Sequence, residues 1–388
     1  MTRQRRHDDI YAGFEQGPIR PPSEARSLLI RVTRNCPWNR CSFCPVYKEQ
    51  RFSVRPEAHV IEDIDAVHRQ VAALKTLAGD GGAISRRDLS DRMQDIPPHE
   101  QPAFAAAVNW FAGGMTSIFL QDANSLIVKP EQLIRILQHI RSRFPWVERI
   151  TSYARSHTVA RIGDDHLAQM RAAGLNRIHI GLESGSDTVL AMVHKGVDKR
   201  THVKAGQKVT RAGMELSEYV MPGLGGREYS HAHAVETADA LNQIDPDFIR
   251  LRSLAIPGSI PLADDHRRGR FVKLNDVETV REIRTFIDHL EGIHSRITSD
   301  HILNLLGEVE GRLPDAKARI LALLDAFLAL SPDEQCRFQV GRRLGIFNRL
   351  EDLQRPRRRA RVDEICVQHG IHPDNVDAMV DEMVNRFI

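Results

Sequence analysis

Six short apolar runs, rich in β-branched residues, alternate with longer amphipathic segments between residues 27 and 254. This alternation is typical of repeated βα units, in which helices connect the parallel strands of one sheet. The predicted strands are Ser27–Val32, Thr116–Gln121, Arg149–Tyr153, Arg177–Glu183, Glu215–Met221 and Phe248–Leu254. The clearest helices between them are Glu131–Arg143, Asp164–Ala173, Val189–Ala212 and Ala232–Ile244. Because six units are too few for a closed eight-stranded barrel, the sequence predicts an α/β fold with a partial (β/α)6 TIM-like barrel.

The remaining segments suggest three regions along the chain. We expect an N-terminal segment at 1–26, the barrel at 27–262 and a helical C-terminal region at 263–388, with strands stopping after about Pro261. A polar stretch rich in glycine and proline, 78–101, is an insertion between the first helix and its continuation; it is either a partial cover over the barrel mouth or a disordered surface loop. A basic run at 355–361 is interpreted as a linker to a final helical stretch, 362–388.

The composition excludes several classes of protein. There are 54 Lys and Arg residues against 51 Asp and Glu residues, and this net charge of +3 argues against a general affinity for nucleic acids. No run of 18 apolar residues is present, and no apolar stretch follows the charged N-terminus, so we expect neither a membrane span nor a signal peptide. Five cysteines, three of them clustered, fit metal ligation in a reducing compartment better than a disulfide framework. A soluble, cytoplasmic protein is therefore expected.

The clustered cysteines, Cys36, Cys41 and Cys44, lie in the loop CPWNRCSFC directly after the first predicted strand. Three thiolates can hold three corners of a cubane iron–sulfur cluster and leave the fourth iron without a protein ligand, whereas an electron carrier normally supplies four cysteines. A structural zinc site is the alternative, but such sites usually have two ligand pairs, and the histidines nearest the loop, His7 and His59, lack a paired spacing. The loop follows the C-terminal end of a strand, where the active sites of βα barrels gather. The sequence therefore indicates a site for chemistry.

The loop, the strand before it and the motifs on later strands resemble the radical S-adenosylmethionine superfamily. The resemblance is to an uncharacterised single-cluster branch related to the elongator and oxygen-independent coproporphyrinogen oxidase groups. The chain has four residues between its first two cysteines where three are commonest, but the number of ligands is intact. The resemblance implies that Cys36, Cys41 and Cys44 ligate a [4Fe–4S] cluster. It also implies that S-adenosylmethionine chelates the open iron through its amino and carboxylate groups, and that Phe43 lies beside the adenine.

The same resemblance suggests further cofactor contacts at the ends of the second, third and fourth strands. Asp122, with Asn124 beside it, is expected near the ammonium group of the cofactor, although either residue would equally suit a helix N-cap. Ser152 on the third strand is expected near the ribose. Glu183, followed by Ser184, is expected to accept the ribose hydroxyls; the alternative is a surface turn residue.

Two more contacts are implied on the C-terminal side of Glu183. Lys195 falls where an arginine often lies near the cofactor carboxylate, but it would also suit a solvated helix position. Gly223, in the turn MPGLGG after the fifth strand, would let the backbone approach the adenine; a tight left-handed turn without a ligand explains it as well.

These residues imply a radical S-adenosylmethionine enzyme of the oxidoreductase or lyase type. An external one-electron donor, of the flavodoxin or ferredoxin type, would reduce the cluster. A small-molecule substrate is favoured over a nucleic acid. Two alternatives remain open: an RNA-modifying enzyme, suggested by the basic run at 355–361, and a non-catalytic iron–sulfur electron-transfer protein.

Overall fold

A computed structural model of the chain describes residues 10–79 and 82–385. Its strands are β1 (Leu28–Arg31), β2 (Thr33–Arg34), β3 (Ser53–Val54), β4 (Ser117–Gln121), β5 (Arg149–Ala154), β6 (Leu175–Glu183), β7 (Glu215–Val220), β8 (Phe248–Leu251), β9 (Arg296–Thr298) and β10 (Gly311–Arg312). Its helices are α1 (Glu57–Ala78), α2 (Arg86–Asp95), α3 (Gln101–Ala112), α4 (Pro130–Arg143), α5 (Ser156–Val159), α6 (Asp164–Ala172), α7 (Asp187–Met192), α8 (Lys199–Arg211), α9 (Gly226–Ile244), α10 (Pro261–Arg267), α11 (Asp276–Asp288), α12 (Lys317–Leu328), α13 (Pro332–Arg343), α14 (Pro356–His369) and α15 (Val376–Asn385).

The main sheet has eight strands in the order β1-β4-β5-β6-β7-β8-β9-β10. The pairing is parallel in β1–β4, β4–β5, β5–β6, β7–β8 and β8–β9, and β10 is antiparallel to β9. Within the described residues the sheet does not close on itself, because β1 and β10 lie at its two ends. The predicted fold class is therefore confirmed: an α/β protein whose open, mainly parallel sheet is consistent with a partial TIM-like barrel.

All six predicted strands are present, but three other predictions about secondary structure are wrong. The strands continue after Pro261, as β9 and β10; both are too short to show an apolar run. The predicted helix Val189–Ala212 is interrupted after α7, where His194 and Gly196 have φ angles of +53° and +69°. The basic run at 355–361 is not a linker, because all but its first residue belong to α14.

By its internal contacts the chain forms two compact units, which are described separately. Unit 1 comprises the residues up to Asn39, Val46–Ile180 and Lys208–Leu216; unit 2 comprises Arg40–Pro45, Gly181–Gln207 and the residues from Ser217 onward. In unit 1, the buried faces of α1, α3 and α4 pack around Trp110 and Phe144, whose rings lie 5.0 Å apart in a T-shaped arrangement. In unit 2, α9, α11 and α12 pack together, and Phe327, Phe338 and Phe347 form a fully buried aromatic group.

The insertion 78–101 contains α2, which the sequence did not predict. Ser85 caps this helix by accepting a hydrogen bond from the backbone N–H of Asp88, and none of the helix residues is buried. Further along, Gln70 of α1 donates a hydrogen bond of 2.8 Å to Glu100, which attaches the end of the insertion to α1. None of the helices in the described residues combines the length and the apolar composition of a membrane span.

Candidate cofactor-binding residues

The cysteine loop begins in unit 1 directly after β1 and β2. Its three thiols are all partly exposed, and none of the five cysteines forms a disulfide bond. Asn35 and Asn39 have φ angles of +66° and +46°, a left-handed region that asparagine tolerates better than most residues. The Asn39 N–H donates to the sulfur of Cys36 at 3.4 Å, so a left-handed turn accommodates the four-residue spacer. In the described part of the chain, no three His, Cys, Asp or Glu side chains are grouped so as to hold a metal ion.

Asp122 of unit 1 anchors the start of this loop. Its carboxylate is fully buried, and Oδ2 accepts hydrogen bonds from Arg31 Nε at 2.8 Å and from the backbone N–H of Asn35 at 2.9 Å. Arg31 Nη2 lies 2.7 Å from the same oxygen. Because Asn35 precedes Cys36, the Asp122 carboxylate fixes the backbone from which the first cysteine projects.

The second carboxylate oxygen, Asp122 Oδ1, is buried and has no hydrogen-bond partner among the residues that the structure describes. Gly17 covers it so closely that a Cβ at that position would lie 2.1 Å from Oδ1. The Gln121 side chain holds Gly17 in place through hydrogen bonds to its N–H (2.8 Å) and its carbonyl (3.2 Å). Burial, and then the nearby Asp122 charge, raise the pKa of Tyr47 far above its usual value, so Tyr47 presents a neutral hydroxyl. Both oxygens of Asp122 are thus enclosed by the protein.

Asn124 and Ser152 are also fully buried in unit 1. Asn124 accepts a hydrogen bond from the backbone N–H of Arg155 at 3.0 Å and donates one to Thr158 Oγ1 at 2.8 Å. Asn124 occupies the N-cap position of the short 3₁₀ helix that follows, but its side chain makes no capping hydrogen bond there. The N-cap of the helix that begins at Pro130 is Lys129, so neither Asp122 nor Asn124 caps that helix. Ser152 donates to the carbonyl of Tyr153 at 3.1 Å. Asn124 therefore joins the segments that follow β4 and β5.

Unit 2 brings together Glu183 and Lys195. Lys195 Nζ lies 3.1 Å from Glu183 Oε1, and only 12% and 13% of the two side chains are exposed. Glu183 has a φ of +63°, a left-handed conformation that is costly for a residue with a Cβ. A Cβ on Gly181 would lie 2.4 Å from Glu183 Oε1 and 3.1 Å from Lys195 Nζ, so this glycine leaves the space for the ion pair.

Glu218 of β7 is a third titratable group near this pair. It is completely buried, and neither carboxylate oxygen has a hydrogen-bond partner in the described residues. Burial raises the pKa of Glu218 well above its ordinary value; the Lys195 charge opposes this shift and the Glu183 charge adds to it. Burial therefore favours the neutral form of the Glu218 carboxyl group.

A second polar network in unit 2 connects Ser184 with Gly223. Ser184 Oγ is 2.8 Å from His233 Nδ1, and His233 Nε2 is 3.7 Å from Glu282. Glu282 accepts hydrogen bonds of 2.6 Å from the Gly223 N–H and from Ser230. Burial raises the pKa of Glu282, against the lowering effects of His233 and of these two hydrogen bonds. Gly223 itself has a φ of +88°, so a left-handed turn does occur there.

Phe43 belongs to an apolar cluster of unit 2. Its ring is 8% exposed and packs among buried side chains that include Val193, Leu224 and Leu254, with Cys41 and Cys44 against the same cluster. The Lys195 ammonium lies 5.7 Å from the ring centre. The ring therefore anchors the segment that carries two of the three cysteines.

Sequence reasoning missed the residues that support the predicted ones. These are Gly17, Arg31, Gly181, Glu218, His233 and Glu282. Arg31 and Gln121 lie side by side because of the register in which β1 and β4 pair, and the alternation of strand residues in the sequence does not reveal that register. The histidine and the two glutamates lie in ordinary helix or strand positions and carry no sequence signal.

The cysteine and carboxylate side chains described above are chemically suited to bind an iron–sulfur cluster and a nucleoside cofactor. Three partly exposed cysteines that form no disulfide follow β1, and a carboxylate held in a strained backbone conformation ends β6. A mainly parallel α/β sheet with a three-cysteine loop after its first strand is typical of proteins that depend on a bound cofactor. The family model of the radical SAM superfamily matches residues 30–238, which is more than half of the chain. The chain belongs to this superfamily, whose members are generally enzymes, and membership implies a [4Fe–4S] cluster and S-adenosylmethionine as its cofactors.

Several solved structures are similar at low identity. The Elp3 protein of the archaeon Methanocaldococcus infernus, with an N-terminal deletion, is 15% identical with a TM-score of 0.41, over 51% of this chain and 52% of that one. Coproporphyrinogen III oxidase (HemN) of Escherichia coli is 15% identical with a TM-score of 0.44, over 74% and 56%. This chain thus spans about half the length of these structures. No curated protein sequence matches it significantly.

Proposed function

We propose that this chain is a radical S-adenosylmethionine enzyme of the oxidoreductase or lyase type. When bound, the cluster and the cofactor would supply reductive cleavage of S-adenosylmethionine to methionine and a 5′-deoxyadenosyl radical, which removes hydrogen from an unidentified substrate. The observation that carries the proposal is the loop itself: three partly exposed cysteines, none in a disulfide, follow the first strand of a parallel sheet and lie inside the matched region 30–238. Reduced thiols are also what the proposed cytoplasmic location provides.

The chain's own residues would hold the cofactors in register. We assign Cys36, Cys41 and Cys44 to the cluster. Glu183 is the proposed ribose ligand, because its buried carboxylate can accept two hydroxyl hydrogen bonds while Lys195 remains close enough for the cofactor carboxylate.

The other predicted contacts receive different kinds of support. Asp122 is an indirect contributor, since both of its oxygens are enclosed and it acts on the loop through Asn35. Contacts of Phe43, Asn124, Ser152 and Ser184 with the cofactor remain predictions, and each of these side chains is buried. Gly223 remains the proposed adenine-side turn, and its left-handed conformation agrees equally with that role and with a turn that binds no ligand.

Superfamily members generally require an external reductant, and we propose a flavodoxin or ferredoxin for this chain. Its substrate we propose to be a small molecule. The rival function, a non-catalytic electron-transfer protein, would have no need for the strained carboxylate of Glu183 and predicts that its replacement is tolerated.

The first experiment tests the cluster. Protein reconstituted anaerobically should bind about four irons and form 5′-deoxyadenosine with a chemical reductant. The variant with alanine at Cys36, Cys41 and Cys44 should lose both properties. A matched control with alanine at Cys336 and Cys366 should keep them. Iron retained in the loop variant, together with iron lost in the control, would contradict the assignment.

The second experiment tests the ribose contact. Glu183→Gln should weaken S-adenosylmethionine binding by roughly tenfold to a hundredfold, the value of a lost charge-assisted hydrogen bond. Glu215→Gln is the matched control, because Glu215 is also salt-bridged, to Arg177 at 2.7 Å, but at the amino end of its strand. Equal affinities for wild type and Glu183→Gln would remove the basis for the assignment and favour the electron-transfer alternative.

A further inference from the structure

The excess positive charge of the chain is concentrated in one short segment of unit 2. Residues 349–361 contain six arginines and two acidic residues, a net charge of +4, whereas the rest of the chain has 48 basic and 49 acidic residues, a net charge of −1. This segment covers the turn before α14 and the first turns of α14. It is therefore a basic surface, which we call the arginine segment, on an otherwise neutral protein.

Two of its arginines have a clear structural role. Arg355 and Arg358 form ion pairs of 3.0 and 2.7 Å with Asp352, a buried carboxylate that also accepts backbone hydrogen bonds. Arg357, Arg359 and Arg361 form no ion pair with any described residue, and Arg357 and Arg361 are exposed. The nearby acid Asp363 is already paired with Arg337 of α13. These three arginines thus have no ion-pair partner among the described residues, and Arg357 and Arg361 lie one turn apart on the same exposed side of α14.

Their position in the helix is unfavourable for the helix itself. The first turn of α14 contains no acidic residue, although the helix dipole favours acids there and disfavours cations. The neighbouring helix α13 has the opposite arrangement, with Asp333 and Glu334 in its first turn and Arg342 and Arg343 in its last. Because α13 follows the rule that α14 breaks, Arg357, Arg359 and Arg361 are not explained by local stability, and such departures point to function.

We propose that the arginine segment binds single-stranded RNA through its phosphate backbone. The basic residues are all arginines, whose planar guanidinium groups bind phosphate with two hydrogen bonds and stack on unpaired bases. A membrane surface would require an apolar face beside the charges. The exposed large hydrophobic residues nearest in sequence are Leu344 and Val367, both outside the segment. This partner goes beyond the proposed reaction and does not depend on it.

The test uses full-length, anaerobically reconstituted protein and a 20-nucleotide mixed-sequence RNA with a fluorescent label, measured by anisotropy over a series of salt concentrations. Wild type should bind, with an affinity that falls as salt rises. The variant with glutamine at Arg357, Arg359 and Arg361 should bind about tenfold more weakly or worse near 0.1 M salt. The slope of the logarithm of its binding constant against the logarithm of the salt concentration should be less steep by about 2, because each phosphate contact on a single strand contributes about 0.7 to that slope.

The matched control removes the same charge elsewhere, with glutamine at Arg86, Arg200 and Arg268, which are also exposed. It should bind like wild type. Circular dichroism and 5′-deoxyadenosine formation should be unchanged in both variants, which separates this result from any failure of the proposed reaction. An equal loss in the control, unchanged binding in the arginine-segment variant, or no binding by wild type would overturn the proposal. So would tighter binding to duplex DNA of the same sequence or to phosphatidylserine vesicles than to the RNA.

Discussion

Asn at position 122 would keep the shape of the side chain and remove its charge. In the structure, Oδ2 of Asp122 receives two guanidinium contacts from Arg31, at 2.7 and 2.8 Å, and one backbone hydrogen bond from Asn35. A hydrogen bond to a charged group contributes about 1.5–3 kcal/mol, and removing one partner of a buried ion pair costs about 3–5 kcal/mol. Glu15, 2.6 Å from Arg31, remains to compensate part of the loss. We therefore expect Asp122→Asn to lower the free energy of unfolding by about 2–3 kcal/mol, which corresponds to a decrease in Tm of about 2–4 °C for a chain of 388 residues.

The change should also loosen the cysteine loop, because Asn35 precedes Cys36. The expected result is a lower iron content after reconstitution and faster iron release to a chelator. Glu24→Gln is the matched control: Glu24 is equally buried in unit 1, but it lies before β1, at the opposite end from the loop. Burial raises the pKa of Glu24, but hydrogen bonds from His179 and Ser27 and the Arg149 charge bring it below its ordinary value of 4.5.

Both variants should therefore be less stable at neutral pH, and only Asp122→Asn should lose iron. The lowered pKa means that the contribution of Glu24 is complete above pH 4.5 and is lost as the pH falls further, so the control's deficit should shrink in acid. Normal iron content in Asp122→Asn, despite lower stability, would refute the reasoning that Asp122 orders the loop. Iron loss of the same size in Glu24→Gln would show that general destabilisation is the cause.

Three further predictions concern other parts of the chain. Gly181→Ala should weaken S-adenosylmethionine binding, measured by equilibrium dialysis, because the new methyl group would lie 2.4 Å from Glu183 Oε1; unchanged affinity would contradict the proposed position of that carboxylate. Burial raises the pKa of Glu218 in the folded protein, so its contribution to stability is complete below its unfolded-state pKa and is lost as the pH rises through its folded-state pKa. Glu218→Gln should therefore become more stable relative to wild type as the pH increases, measured by thermal melts from pH 5 to 9. Deletion of residues 83–95 should leave the protein folded, since α2 has no buried residue, and should raise 5′-deoxyadenosine formation in the absence of substrate if the insertion is a cover; an unchanged rate would leave the insertion without a catalytic role.

The sequence predicted the strands well because each carries its own apolar signal. Every predicted strand coincides with an observed one within a few residues, since four to nine consecutive residues that are largely apolar are sufficient to show the pattern. The failures are short or depend on context: β9 has only three residues, and the break between α7 and α8 depends on left-handed residues. Local patterns thus reveal the elements that carry their own apolar signal. They do not reveal elements that are stabilised only by their neighbours.

The candidate site shows the same division between residues and partners. Glu183 and the three cysteines could be recognised from their positions after strands. The pairing of Glu183 with Lys195, twelve residues later, could not, because it depends on how the chain returns after α7. The contact between Asp122 and Arg31 likewise depends on the register of two strands separated by 85 residues of sequence (Arg31 to Ser117).

The backbone at Glu183 favours a functional role over a purely structural one. A turn that only needed a positive φ would be best served by glycine, since a residue with a Cβ in this conformation costs roughly 1–3 kcal/mol. The surroundings nevertheless keep a carboxylate there: the backbone carbonyl of Glu183 accepts a hydrogen bond of 3.0 Å from Met221, Lys195 neutralises the side chain, and Gly181 leaves room for both. Three elements thus hold one strained acid in a defined position at the end of β6. This arrangement supports the proposal that Glu183 accepts hydrogen bonds from a hydroxyl-bearing ligand such as the cofactor ribose.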